Sequence, residues 1–321
     1  MCYSAQIRHD FARFVREFGA VIDIDTFMRL YWQRGQGSKV KVAKALDAQF
    51  ARPQSEGERA IKDLIERFDA AQTAQLEQDI FKQRKRLADA ERTLLVKTTK
   101  KALEDKRIAT QKVAWALDKL AALRRTALVD EDSRIFPGWY APVLVSEGGR
   151  RVVKPMRYQC RPAGTPAFFD TKFPGTYNAR RDSLEKFWRG QFGTSHGIMV
   201  VDAFFENVSR HTMERRVLAE GEAEQNVVLE FRPQPAHPML VACLWSEWRD
   251  PGGNSEPLLS FAAITDDPPA EIAAAGHDRC IVPIKPEHLD AWLDPDAKDL
   301  ATLYAILDDR DRPYYEHRLA A

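Results

Sequence analysis

The feature of the sequence that most restricts its fold is a long stretch without helix-breaking residues. Between Gly57 and Pro137 the 321-residue chain contains neither glycine nor proline, and its apolar residues recur at helical or heptad spacing. A single straight helix of roughly 79 residues, at 1.5 Å per residue, would extend about 120 Å from its starting point. The pattern therefore predicts an antiparallel helical hairpin, with the reversal at 96–101, where VKTTKK gathers β-branched residues.

The charge of this stretch differs from that of the rest of the chain. Residues 79–125 carry 14 Lys and Arg against 6 Asp and Glu, a net charge of +8, although the whole chain carries only +1. A basic stripe of this kind suits a nucleic-acid backbone, because each neutralised phosphate releases counterions. A solvated helix face produces the same pattern, so both interpretations stay open.

Composition and cysteine spacing limit the class of protein. A chain with 44% hydrophobic and 30% charged residues can bury one large or two ordinary cores. No apolar run approaches the roughly 20 residues that cross a bilayer, and the start lacks a signal-peptide core. We expect a cytoplasmic protein without membrane contact, nucleoid-associated if bacterial. Since the four cysteines form no C-x-x-C pair, we expect reduced thiols, no metal and no cofactor: Cys2, Cys160, Cys243 and Cys280.

From residue 135 onwards the sequence favours β-structure. The run FPGWYAPVLVSEGGRRVVKPMRY is typical of a strand, a turn at EGG and a second strand. Three further runs are rich in β-branched and aromatic residues: HGIMVVDAFFENV, PMLVACLWSEW and PLLSFAAIT. Short helices are expected between strands at 182–188 and 286–292. The second half is therefore predicted to be α+β, with a mostly antiparallel, barrel-like sheet.

The second residue of the chain has chemistry that no internal cysteine can offer. Removal of Met1 would leave Cys2 with a free α-amine and a thiol two carbons apart. The thiol titrates near about 8.5 and the amine near about 8, so at neutral pH a usable fraction of each is nucleophilic. An aldehyde would condense with the amine and then be closed by the thiol into a five-membered ring. Taken alone, a cysteine at this position is more often an inert residue of a disordered terminus.

Five short motifs occur in an order and spacing typical of one family: MCYSAQ at the start, PMRY at 155–158, YNARRDS at 177–183, VDAFFENV at 201–208 and GHDRCIVPI at 276–284. Together they resemble the SOS response-associated peptidase (SRAP) family, whose members cap abasic sites in single-stranded DNA. The resemblance implies a mostly antiparallel β-barrel core with flanking helices, formed by 1–17 and 134–321. Residues 18–133 are then a helical insertion, with the long antiparallel hairpin or coiled-coil arm at about 55–130.

The resemblance also implies roles for four residues. Cys2 matches the family nucleophile, whose amine and thiol trap the ring-opened aldehyde of an abasic site as a thiazolidine. Asn178 matches an asparagine beside that terminus, whose amide can hold the amine or thiol. Glu206 matches the acid–base carboxylate, and His277 matches the histidine that assists sugar ring opening and crosslink reversal. Without the family, Asn178 would be assigned to a turn and His277 to a loop, and Glu206 would equally well be a surface glutamate at a strand end.

DNA contacts are implied in the same way. Arg180 and Arg279 match arginines that hold the phosphates flanking the lesion, a role that suits a fork-shaped guanidinium. Phe168 and Phe169 lie where the family carries an aromatic wedge that stacks on bases, although core packing is expected for at least one of them. The chain departs from the family at Ser4, where the family has an arginine that contacts a phosphate.

Two hypotheses of different class follow. The first is an enzyme-like abasic-site sensor of the DNA damage (SOS) response that crosslinks to single-stranded DNA through Cys2. It includes the family's autoproteolytic cysteine-peptidase and lyase-type activities at the same site. The second is a binding or scaffold protein that keeps the SRAP shell and acts through its helical arm on a protein partner, on itself or on a nucleic-acid backbone. Retention of the four chemical residues favours the first.

Overall fold

The computed structural model describes residues 4–8, 10–253 and 255–320 of the chain. Contacts divide the chain into two compact units. The first unit contains the chain up to Leu30, the segment Lys39–Arg52 and the chain from Val129 onwards. The second unit contains Tyr31–Ser38 and Pro53–Leu128.

Strands dominate the first unit and helices the second. The strands are β1 Ser4–Ile7, β2 Val21–Ile22, β3 Lys41–Val42, β4 Arg134–Ile135, β5 Trp139–Glu147, β6 Arg150–Tyr158, β7 Asn178–Arg180, β8 His196–Ser209, β9 Asn226–Gln234, β10 Met239–Trp248, β11 Leu258–Asp266, β12 Cys280–Ile281, β13 Pro283–Ile284 and β14 Tyr314–Leu319. The α-helices are α1 Phe11–Phe18, α2 Ile24–Gly35, α3 Lys44–Asp47, α4 Glu56–Val96, α5 Lys100–Arg124, α6 Phe169–Lys172, α7 Arg210–Met213, α8 Ala270–Ala274, α9 Leu289–Leu293 and α10 Leu300–Asp308. Short 3-10 turns lie at Ala48–Phe50, Asp130–Ser133, Arg181–Ser183 and Pro286–His288.

The first unit is built on a closed β-barrel. Its strands follow the order β5, β6, β11, β10 and β8, and β8 returns to β5 through the pair Leu144 and Ile198. All neighbours are antiparallel except β6 and β11, which run parallel. Gly197 lies beside the closing pair, where a Cβ atom would come 2.9 Å from Val143 Cγ1. Glycine therefore lets β5 and β8 approach closely enough to close the barrel, and the predicted α+β, barrel-like fold is confirmed.

Alternating side chains of the barrel strands contribute to two apolar cores. Val143 and Val201 belong to one core, whereas Leu144 belongs to the other, together with Trp292 of α9 and Leu303 of α10. Successive side chains of a strand point to opposite faces, so these strands are buried on both sides. The second core packs α9 and α10 onto one face of the barrel strands.

Additional strands extend the barrel and bring the candidate residues to it. β1 pairs with β8 and β4, β9 pairs with β8 and β14, and both β7 and β12 pair with β11. β2 pairs with β6, and β3 pairs with β5. These two pairings place residues 18–30 and 39–52 with the barrel. The second unit therefore starts at Tyr31.

The second unit contains the long helical hairpin. α4 is 41 residues long and α5 is 25, and the reversal between Val96 and Lys100 lies within the predicted segment. The Thr99 hydroxyl caps α5 by accepting a hydrogen bond from the Ala102 N–H at 3.1 Å. The helical hairpin expected from the breaker-free stretch is confirmed.

Apolar contacts and ion pairs join α4 to α5. Ile80 of α4 packs with Ala116 and Leu120 of α5. The Lys106 ammonium of α5 lies 3.3 Å from the Glu91 carboxylate of α4. Small side chains at the contact allow the two helix axes to approach closely, which stabilises the antiparallel pair.

All five strands expected from the sequence are confirmed, as β5, β6, β8, β10 and β11. The α-helix expected at 182–188 is wrong, because the structure has a 3-10 turn at Arg181–Ser183 followed by further turns. Leu184 and Trp188 are buried in the second core. The apolar spacing that resembled a helix anchors a turn-rich segment instead.

Candidate active site

A buried carboxylate and a buried imidazole meet in the first unit. Glu206 lies near the end of β8, and His277 lies in the turn between α8 and β12. The His277 Nε2 atom is 3.1 Å from the Glu206 Oε2 atom, and the side chains are 8% and 0% exposed. Buried titratable groups in direct contact are typical of sites that transfer protons.

The turn before His277 fixes the direction of its imidazole. Gly276 has a φ of +95°, and a Cβ atom there would lie 2.9 Å from Thr212 Cγ2. The His277 N–H donates to the Ile272 carbonyl at 3.2 Å and so caps the end of α8. A larger residue before His277 would strain the backbone and collide with Thr212, which explains the glycine of the GHDR motif.

The hydrogen bonds of His277 restrict where its protons lie. Its Nδ1 atom is 2.8 Å from the backbone carbonyl of Arg279 and 3.4 Å from the backbone nitrogen of the same residue. The shorter contact favours a hydrogen on Nδ1, because a carbonyl can only accept. The Nε2 atom of the ring then faces the Oε2 atom of Glu206. Burial lowers the pKa of His277, which favours the neutral imidazole.

Asn178 presents a buried amide to which the described residues supply no hydrogen-bond partner. It opens β7 and pairs in parallel register with Ala263 of β11. The residue is 7% exposed, and neither Oδ1 nor Nδ2 has a partner within residues 4–8, 10–253 and 255–320. Leaving a buried polar group unsatisfied costs about 1 to 3 kcal/mol. The amide is therefore suited to a group that these residues do not supply.

Strand β11 brings the segments of Asn178 and His277 towards the same strand end. Thr265 pairs with Arg180 of β7 on one side and with Ile281 of β12 on the other. Within the described part of the chain, no hydrogen bond joins the Asn178 amide to the Glu206–His277 pair. β11 thus brings together the segments that carry Asn178 and His277.

The proposed nucleophile, Cys2, lies outside the described residues. The structure shows the strand that follows it: β1 begins at Ser4, which pairs with Phe205, the chain neighbour of Glu206. The start of the described chain is therefore held beside the end of β8 that carries the carboxylate.

The three internal cysteines are buried free thiols. Burial raises the pKa of Cys160 to about 12, and it also raises the pKa of Cys243 and of Cys280 well above the ordinary value. A thiol that stays protonated at neutral pH is a poor nucleophile. These environments exclude all three as reactive groups in the native fold.

Arg134 is a candidate that the sequence reasoning missed. Its Nε atom donates to Ser4 Oγ at 2.9 Å, and its guanidinium carbon lies 3.7 Å from the ring centre of Phe205. Pairing of β4 with β1 places it there, opposite Gln6. No local pattern marks Arg134, because it meets Ser4 across 130 positions of sequence. The site therefore has a cation directly beside Ser4, where the family pattern has its own arginine.

The two arginines expected to hold phosphates differ in environment. Arg180 is exposed, and its Nε and Nη2 atoms donate to the two oxygens of Asp182 at 3.2 and 2.9 Å. Arg279 is more buried, with Nη2 3.4 Å from Asp278, and its Nε has no partner in the part of the chain that the structure describes. Arg180 would have to exchange Asp182 for a phosphate, whereas Arg279 has unused donor capacity.

The two phenylalanines of the expected aromatic wedge also differ. Phe168 is 63% exposed. Phe169 is buried, and its ring centre lies 4.7 Å from that of Phe173 and 6.2 Å from that of Phe187. Of the two, Phe168 is the ring available for stacking on a base.

Neither a cluster of metal ligands nor a membrane-spanning helix occurs among the described residues. No group of three or more His, Cys, Asp or Glu side chains within them could hold a metal ion. None of the helices in residues 4–8, 10–253 and 255–320 combines the length and apolar character needed to cross a membrane.

Comparisons relate the chain to known proteins. The family model described as SOS response associated peptidase (SRAP) matches residues 92–319. A solved structure of a Bordetella bronchiseptica protein is 20% identical, covering 59% of this chain and 87% of that chain, with a TM-score of 0.45. A Bacteroides thetaiotaomicron protein is 16% identical over 60% and 80%, with a TM-score of 0.46. A phage-related protein from Bordetella bronchiseptica is 20% identical over 62% and 85%, with a TM-score of 0.43. No curated protein matches the sequence significantly.

Proposed function

Because the chain belongs to the SOS response-associated peptidase (SRAP) family, which is associated with DNA damage and abasic sites, we propose that it crosslinks covalently to abasic sites in single-stranded DNA. The observation that most strongly supports this function is the buried contact between Glu206 and His277. It supplies an acid and a base at one place, beside the strand that follows the N-terminal aminothiol.

The proposed reaction uses both nucleophiles of Cys2. The α-amine adds to the aldehyde carbon of the ring-opened sugar, and the resulting carbinolamine loses water to form an imine. The thiol then adds to the imine carbon, and the imine nitrogen takes up the proton that the thiol releases. An aldehyde and an aminothiol thus become a thiazolidine and one molecule of water, without any oxidant or reductant.

The contact of Glu206 with His277 fits the first step. An abasic sugar is mainly a closed hemiacetal, so ring opening requires a proton at the ring oxygen and loss of a proton from the hydroxyl. A carboxyl group and an imidazole 3.1 Å apart can serve as the donor of one proton and the acceptor of the other. We assign the acid–base role to Glu206 and the assisting role to His277.

Asn178 is assigned to the aminothiol. A buried amide offers one acceptor and two donors, and both polar atoms of Asn178 are unsatisfied by the described residues. Ser4, two residues after Cys2 in the sequence, pairs with Phe205, the chain neighbour of Glu206.

DNA binding is assigned to cations and one exposed ring of the first unit. Arg279 and Arg180 would hold flanking phosphates, and Phe168 would stack on a base. Arg134 would supply the cation that Ser4 lacks. Because Phe205 and Glu206 are consecutive in β8, their side chains leave opposite faces of the strand, so Arg134 would contact the backbone rather than the reacting sugar.

The autoproteolytic and lyase-type activities are proposed as facets of the same site. Attack of the Cys2 thiol on the Met1 carbonyl would give a thioester that water hydrolyses, releasing Met1 and the free amine. An imine that the thiol does not close would permit β-elimination of the 3′ phosphate. The domain assignment is also retained as a proposal, with the helical hairpin inserted in the catalytic core.

One incubation tests the proposal. Single-stranded DNA containing uracil is pretreated with a uracil glycosylase and mixed with protein whose loss of Met1 has been verified by intact mass. We expect a denaturation-resistant adduct heavier than the protein by the mass of the strand less one water. Untreated DNA and the Cys2→Ala variant are the controls. Absence of an adduct with Met1-free protein would leave the alternative, an SRAP shell that acts by binding alone.

A further inference from the structure

The helical hairpin carries positive charge that its own carboxylates do not neutralise. Five cations of the stretch 79–125 form ion pairs: Arg86 with Asp105, Arg92 with Asp89, Lys106 with Glu91, Arg107 with Glu104 and Arg124 with Glu77. These pairs occupy four of the six acidic residues of the stretch. The acidic groups near the reversal are therefore already engaged in ion pairs.

Eight exposed cations of the same stretch make no ion pair within the described residues: Lys82, Arg84, Lys85, Lys97, Lys100, Lys101, Lys112 and Lys119. Six of them lie between 82 and 101, around the reversal of the hairpin. We call these six the hairpin-end cations. A solvated helix face with interspersed pairs would not leave the surplus concentrated at one end.

Part of this charge lines a groove between the two helices. The groove has a volume of about 530 Å³, and Lys82, Lys85 and Lys101 line it together with the hydroxyl-bearing Thr93 and Thr99. Its two carboxylates belong to Asp89 and Asp105, which are held by Arg92 and Arg86. Lysine ammonium groups and threonine hydroxyls are donors suited to phosphate oxygens.

The start of α5 adds to the positive electrostatic potential at this end of the hairpin. α5 is 25 residues long, has no acidic residue in its first turn, and begins with Lys100 and Lys101. The positive end of the helix dipole lies at this terminus, so two lysines there repel it. A bound anion would relieve that repulsion, and the first backbone N–H groups of a helix are suited to phosphate.

Exposed apolar side chains are interleaved with these cations. Phe81 precedes Lys82 and is 75% exposed, and Leu95 and Val96 precede Lys97 and are 88% and 90% exposed. Single-stranded nucleic acid presents bases as well as phosphates, and binding surfaces for it combine cations with apolar rings. A duplex would offer the phosphates without accessible bases.

We propose that the reversal end of the hairpin is a second, lesion-independent binding surface for the sugar–phosphate backbone of single-stranded DNA. The occupant follows from charge complementarity, because a polyanion matches a row of unpaired cations along two adjacent helix ends. The surface would hold undamaged DNA by counterion release. It does not rest on the Cys2 chemistry, because undamaged DNA has no aldehyde.

The test compares two triple variants that change the net charge equally. The hairpin triple is Lys85→Gln, Lys100→Gln and Lys101→Gln. The control triple changes three exposed lysines of the first unit that make no ion pair within the described chain: Lys39→Gln, Lys41→Gln and Lys298→Gln. Both are made in full-length Cys2→Ala protein, and the probe is an undamaged oligothymidylate strand titrated at several salt concentrations.

The hairpin triple should weaken binding and lower the slope of log affinity against log salt by about 2, since each phosphate contact on a single strand contributes about 0.7. The control triple should leave the slope unchanged. Circular dichroism should show full helicity in the hairpin triple, because removing Lys100 and Lys101 relieves repulsion at the start of α5.

Equal losses of affinity and slope in the two triple variants would show that only the net charge of the protein matters, and would overturn the proposal. An unchanged slope in both would also overturn it, and would point to an acidic protein as the partner of the hairpin. Either result leaves the crosslinking test on abasic DNA unaffected, so the two functions can fail separately.

Discussion

The Nε2 atom of His277 lies 3.1 Å from the Oε2 atom of Glu206, and both side chains are almost completely buried. The Nδ1 atom of His277 faces the Arg279 carbonyl at 2.8 Å, which fixes the direction of the ring towards Glu206. Two residues that are 71 positions apart in the sequence thus lie in direct contact.

Glu206→Gln should separate proton transfer from binding. The amide can donate to His277 Nε2, so the contact and the fold should persist, but it cannot transfer a proton. We expect crosslinking to abasic DNA to slow about a hundredfold or more, with affinity for undamaged single strands nearly unchanged. Single-turnover adduct formation and equilibrium binding measure the two effects. Equal losses in rate and affinity would assign Glu206 a structural role.

Native thiol labelling should distinguish Cys2 from the internal cysteines. Because burial raises the pKa of Cys160 to about 12 and raises that of Cys243 and Cys280, iodoacetamide at neutral pH should leave these three unmodified. Peptide mass spectrometry reads the sites directly. Replacing each of the three with Ala should preserve the DNA adduct, whereas a stable adduct formed by Cys2→Ala would contradict the mechanism.

Asn178→Leu should slow crosslinking to abasic DNA without lowering the free energy of unfolding. The substitution keeps side-chain volume, and no hydrogen bond from the described residues is lost, because neither amide atom makes one. An unsatisfied buried amide costs about 1 to 3 kcal/mol, so the free energy of unfolding should stay equal or rise. Crosslinking should slow, because the aminothiol loses its amide partner. Urea unfolding and adduct kinetics test both, and a large loss of stability would show that the amide has a structural partner.

Arg134→Ala should weaken DNA binding and reduce the salt slope by about 0.7, the contribution of one phosphate on a single strand. Arg134→Lys should keep most of the salt slope but lose affinity for DNA. An ammonium group cannot bind a phosphate through two parallel hydrogen bonds, and it does not stack on Phe205 as the guanidinium does. Ser4→Ala is the matched control, since it removes the Arg134 hydrogen bond and keeps the charge. Identical slopes in all four proteins would exclude a phosphate contact at Arg134.

The free energy of unfolding should fall as the pH is lowered, because His196 is buried as a neutral imidazole. This histidine is buried, its Nε2 accepts from the Gly193 N–H at 2.8 Å, and burial lowers its pKa from 6.5 to about 3. Between these values the unfolded chain binds one more proton than the native protein, so the free energy of unfolding falls as pH falls below about 6.5. The slope from this group is at most about 1.4 kcal/mol per pH unit. The His196 imidazole should remain neutral by NMR in the folded protein near pH 5, and titration near 6.5 would contradict the prediction.

The elements that could be predicted from sequence are those whose signal is local. The hairpin follows from a breaker-free stretch with helical spacing, and its reversal at Val96 to Lys100 follows from a local cluster of β-branched residues. β8, β10 and β11 follow from runs rich in β-branched and aromatic residues. The turn-rich segment after Arg181 was misread as a helix, because buried Leu184 and Trp188 have helical spacing whichever backbone carries them.

The sequence by itself thus determined the helical hairpin, the long strands β5, β6, β8, β10 and β11, and the surplus of positive charge on residues 79–125. Through five ordered motifs it also supplied the candidates Cys2, Asn178, Glu206 and His277. Only the tertiary structure decided which of these groups meet. The contact of Glu206 with His277, the position of Arg134 on Ser4 and the burial of the internal thiols all depend on strand register and long-range packing. The same holds for the hairpin-end cations. Asp105 and Glu91 form their ion pairs with Arg86 and Lys106 across the two helices, and only the structure shows which cations are left over. Local propensity acts over a few residues, whereas these partnerships form only when distant segments share one packed core.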